Sequence, residues 1–90
     1  MAWEKYHVIV TADPERLMRV RGVVQWFESP GNGLAEVYTI YHGPALLVVE
    51  VSGVGRKHDA HRASHCICDA IRDRTLNDPE IEIRIRNQLT

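Results

Sequence analysis

The chain has 90 residues, 44% apolar and 26% charged, a balance that excludes a disordered segment and predicts one small globular domain over residues 1–90. Eleven basic against 12 acidic residues leave a net charge of -1, which argues against a nucleic-acid partner and against a polybasic membrane anchor. Cys66 and Cys68 are too few for a disulfide scaffold, the apolar runs are too short to span a bilayer, and the start shows no signal-peptide pattern, so a cytoplasmic location is expected.

Residues 3–11, WEKYHVIVT, alternate as a first strand, with Tyr6, Val8 and Val10 on one face and Lys5, His7, Ile9 and Thr11 on the other. ADPER then starts a helix, with Asp13 as N-cap and Pro14 at the first helical position. Leu17, Val20, Val24 and Phe27 recur at helical spacing and form its core stripe. Gly22 interrupts that helix at a cost of roughly 1 kcal/mol relative to alanine. SPGNG ends it. Residues 34–42 and 45–53 are rich in β-branched and aromatic side chains, and HGPA between them predicts a hairpin. A second helix is expected from about residue 58 to 76, stopped by NDP, and EIEIRIRNQ supplies a last alternating strand.

The order is β-α-β-β-α-β. It predicts an α+β, ferredoxin-like sandwich: a four-stranded antiparallel sheet with two helices on one face, the fourth strand at one edge, then the first, the third and the second. Such a fold hosts many activities and implies none of them.

Three stretches hold candidate functional residues. In RKHDAHRASHCICD (56–69), helical geometry sends Ala60, Ala63, Ile67, Ala70 and Ile71 to the packing face and His58, His61, His65, Asp69 and Arg72 outward. His58 and His65 are separated by about 10 Å of helical rise against metal–nitrogen bonds of about 2 Å, so one ion cannot gather all three histidines. His61 and His65, at i and i+4, form the one chelating pair, and a closed site needs further ligands. The stretch fits a solvated polar face better than a metal centre. Cys66 and Cys68 project about 200° apart and cannot pair while helical, and Cys-x-Cys is not the Cys-x-x-Cys redox spacing.

SGVGRK (52–57) joins a strand to a helix start, so Gly53, Gly55, Arg56 and Lys57 form a candidate anion site, without the spacing of a P-loop. RVRGVVQWF (19–27) resembles the acylphosphatase signature through Val20-Arg21-Gly22-Val23. Gln25-Trp26 stand where that family carries Phe-Arg, and its asparagine motif has no counterpart, so no acylphosphatase activity is implied. ALLVVEVSG lacks the stacking aromatics of an RNA-recognition module.

The hairpin is apolar on both faces, where a half-solvated sheet should alternate. Val37 and Tyr41 are expected on the helix side. Ile9, Tyr38, Ile40, Leu46 and Val48 are expected on the open side, and the second strand forms an edge without lysine or proline. These features predict a non-enzymatic module acting by protein–protein contact: a homodimer built on the 34–52 hairpin, or a complex with another protein, with no cofactor. Nine arginines among the eleven basic residues match a GC-rich genome and suggest a bacterial or phage accessory protein.

Overall fold

A computed structural model describes residues 4–28, 35–54 and 58–88. Its elements are β1 (Lys5–Thr11), α1 (Pro14–Glu28), β2 (Ala35–His42), β3 (Leu46–Gly53), α2 (Asp59–Arg74) and β4 (Glu82–Asn87). The strands form one antiparallel sheet in the order β2-β3-β1-β4, the ferredoxin-like arrangement predicted from the element order. Both helices pack on one face. Val8 and Val10 of β1, Leu47, Val49 and Val51 of β3, Leu17, Val20 and Val24 of α1, and Ala60, Ile67 and Ile71 of α2 are wholly excluded from solvent. Burial of this apolar surface is the dominant stabilising term. Ser64, equally buried, donates to the Ala60 carbonyl at 2.8 Å, so its hydroxyl costs the core little.

Local chemistry sets the helix ends. Asp13 Oδ1 accepts the Arg16 backbone N–H at 2.9 Å, the N-cap bond anticipated for ADPER. Helix α2 stops because Leu76 and Asn77 turn left-handed, with φ of 55° and 53°, and the Asn77 N–H reaches the Arg72 carbonyl at 2.8 Å. Leu76 is therefore a strained position for a branched side chain, which here stands in solvent.

Arg16 ties the start of α1 to the turn before β4. Its guanidinium bonds to Asp13 and, at 2.7 Å, to Asp78. The Arg16 side chain, helped by the Glu80 N–H, holds the Asp78 carboxyl below its usual range. Asp13 is held down first by the Arg16 backbone N–H and then by the guanidinium. A depressed folded pKa stabilises the fold above the unfolded aspartate value, about 3.9, and that contribution is lost as pH falls through the lower folded value. Arg16→Ala removes the main cause at Asp78 and leaves the backbone cap of Asp13. The stability gap between wild type and Arg16→Ala, from urea unfolding at stepped pH, should be full near neutrality and narrow below about pH 4. A gap constant through that range would exclude Asp78 as its source.

One expectation is overturned. Strand β2 carries a bulge: Val37 pairs Val51 and Thr39 pairs Val49, but the next partner of β3, Val48, is met by Tyr41. Ile40 is the inserted residue. Tyr41 therefore turns to the open face, 52% exposed, instead of joining the core, whereas Val37 is buried as predicted. His42 moves to the helix side, where its Nδ1 lies 3.2 Å from Arg21 Nη1.

Candidate functional site: the open face of the sheet

Strand register assembles the open face. Ile9 lies between Val48 of β3 and Arg84 of β4, Val48 is flanked on its other side by Tyr41, and Thr11 pairs Leu46. Ile9, Val48 and Tyr41 thus make a row across three strands, widened by Leu46 and by Ile40 on the bulge. Ile40 is 49% exposed and Tyr38 53%, large values for apolar side chains in the middle of a strand. Register puts Ile9, Tyr38, Leu46 and Val48 on this face as anticipated from sequence, Ile40 stands exposed on the bulge at its border, and the bulge adds Tyr41.

Polar groups frame the strip. His7 Nε2 sits 3.2 Å from Glu50 Oε1 and Lys5 Nζ 3.9 Å from Glu50 Oε2, closing one end. Along β4, Arg84 Nε donates to Glu82 at 3.1 Å and Arg86 lies one pleat further on the same face. On β2, the Tyr38 hydroxyl donates to Glu36 at 3.3 Å. An apolar centre with a charged rim is the usual anatomy of a contact surface.

The edge of β2 is less available than its sequence suggested. The Thr39 backbone N–H and hydroxyl both donate to Glu28 Oε1 of α1, at 3.0 and 2.6 Å. A bulge and a capped N–H both discourage strand addition. The open face is more accessible than the edge.

The histidines of α2 point outward as predicted. His61 Nε2 and His65 Nε2 are 3.2 Å apart, and the Tyr6 ring meets His61 edge-on with centroids 5.5 Å apart. His58 Nδ1 is 3.5 Å from Glu4 Oε1. Among the described residues no three His, Cys, Asp or Glu side chains come together as a metal set. Burial, then the charge of Glu4 and the hydrogen bond to it, pushes the Tyr6 phenol up, so Tyr6 stays protonated and adds no anionic ligand. Cys66 is exposed and Cys68 buried. Burial pushes the Cys68 thiol up against the opposing pull of Arg72, the reverse of an activated nucleophile.

Of the candidate anion loop, Gly55, Arg56 and Lys57 lie outside the described residues. Gly53 is buried at the end of β3, and its N–H is donated to the Glu4 carbonyl at 3.2 Å. That donor belongs to the sheet.

Fold and site together define the class: an α+β ferredoxin-like sandwich whose sheet presents an apolar, charge-rimmed face away from its helices. No protein-family model, no curated protein and no solved structure matches the chain. Among the described residues no helix is long and apolar enough to cross a membrane.

Proposed function

We propose that this protein is a non-enzymatic binding module that self-associates through the open face of its sheet. The observation that carries the reading is the contiguous strip of Ile9, Val48, Tyr41 and Leu46 on the side opposite the helices, with Ile40 exposed beside it on the bulge. Charge favours a second copy as the occupant. A two-fold axis along the strands stacks two sheets face to face and sets β2 of one copy over β4 of the other. The acidic Glu36 side of one sheet then meets the Arg84 and Arg86 side of its partner. Sedimentation equilibrium at micromolar concentrations should give twice the chain mass. A single-chain mass throughout the high micromolar range would refute the reading.

A second reading is favoured by one distance. Two nitrogens bound tetrahedrally to zinc at about 2.05 Å lie about 3.3 Å apart, and the His61 and His65 nitrogens stand at 3.2 Å. Once the hydrogen bond between the two rings is given up, the pair could chelate a borderline divalent cation, its remaining positions filled by water. With two protein ligands, affinity should be micromolar at best. Calorimetry with zinc chloride at neutral pH should show a weak isotherm that His61→Ala abolishes. Tight binding that survives this substitution would place the metal elsewhere.

A further inference from the structure

The helical layer holds a second feature. Helices α1 and α2 leave a groove of about 480 Å³ between them, lined by Arg19, Gly22, Val23, Trp26, Phe27 and Arg74 among others. Its volume falls within the range of small-molecule sites, roughly 300–1,000 Å³.

Three observations describe what would fit. Trp26 is 76% exposed on the groove wall, an indole left in solvent on a helix whose other face supplies the core. A Cβ at Gly22 would meet nothing within 4 Å, so packing supplies no reason for a residue that weakens an interior helical turn. A side chain longer than a methyl at this position would project into the groove. Among the described lining residues there are two guanidinium groups and no carboxylate. Glu15 approaches Arg19 only at 3.9 Å, with both side chains largely in water, and Asp78, which Arg19 feels through charge, is hydrogen-bonded to Arg16, so Arg19 keeps its donors for an anion.

The polar and apolar parts are also separated. Arg19 precedes Trp26 by seven residues, two turns and about 10 Å along α1. Arg74 approaches from the last residue of α2. Arginine forks bind carboxylate and sulfonate heads in paired hydrogen bonds, and an indole covers a hydrocarbon chain.

We propose that the groove binds a small amphipathic anion, its head between Arg19 and Arg74 and an apolar body of about 10 Å lying over Gly22 and Val23 toward Trp26. The site is independent of the open sheet face and of its self-association.

The test titrates the full chain with sodium octanoate, followed by amide and indole NMR, with 1-octanol as the uncharged probe. Saturable shifts should centre on Gly22, Val23, the Trp26 indole and Arg74. Gly22→Leu fills the groove and should weaken octanoate by about tenfold, whereas Gly22→Ala, which has room for its methyl, should raise the melting temperature. Arg74→Glu sits on the exposed surface and tests the head alone. It should weaken octanoate by about tenfold and leave 1-octanol unchanged, which decides the matter even where Gly22→Leu folds poorly. Shifts confined to Ile9, Tyr38 and Val48, a titration that never saturates, or octanoate binding untouched by Arg74→Glu would each overturn the proposal.

Discussion

Ile40→Glu should yield a folded monomer. The residue is the inserted position of the β2 bulge, and half its side chain already faces solvent, so the substitution leaves the core of the single chain intact. In the proposed dimer the same site is dry. Covering the remaining apolar surface of Ile40 contributes about 1–2 kcal/mol per copy. Replacing it with an unpaired carboxylate costs several kcal/mol more, and a two-fold interface counts each substitution twice. The summed loss exceeds what separates a micromolar from a millimolar dimer, about 4 kcal/mol. Light scattering should therefore halve the mass while circular dichroism stays unchanged. An unchanged mass in the folded variant would remove the face from consideration. Arg86→Glu is the milder companion: it sets like charges opposite Glu36 and should weaken association in a salt-dependent way.

Ile67→Ala should do the opposite, keeping the association surface and weakening the fold. Ile67 is fully buried where α2 packs on the sheet, together with Ile71 and Leu17. Truncating a buried isoleucine costs about 2–5 kcal/mol, because the lost transfer free energy is joined by a cavity that neighbours only partly fill. Against the 5–15 kcal/mol typical of single domains, that is a large share in a chain of 90 residues. Chemical denaturation at fixed chain concentration should show the midpoint falling with little change in slope. A change of less than about 1 kcal/mol would mean that α2 is not anchored at this position. Taken together, the two substitutions separate the faces of one sheet: one alters mass without stability of the chain, the other stability without mass.

Much of this molecule is written in local pattern. Period-two alternation at residues 5–11 and 82–87, the Asp13-Pro14 start of α1, and the stripe of Leu17, Val20 and Val24 depend on neighbours in sequence, so they are legible in the chain itself. The outward histidines follow from the 100° step of a helix, and the spacing of His61 and His65 already implied that they could meet. The apolar excess of the hairpin was equally visible, because a two-sided apolar strand conflicts with a sheet covered on one face only. What the chain does not spell out is anything decided between elements. The bulge in β2 arises from how Thr39 and Tyr41 register against Val49 and Val48, and a one-residue insertion reverses every side chain beyond it, so Tyr41 faces out and His42 in. Glu28 closes the β2 edge only because α1 lies beside that strand. Likewise the inter-helix groove joins Arg19, Gly22 and Trp26 to Arg74 across some fifty residues of chain. Such contacts depend on the packing of whole elements, which carries no signature at any single position.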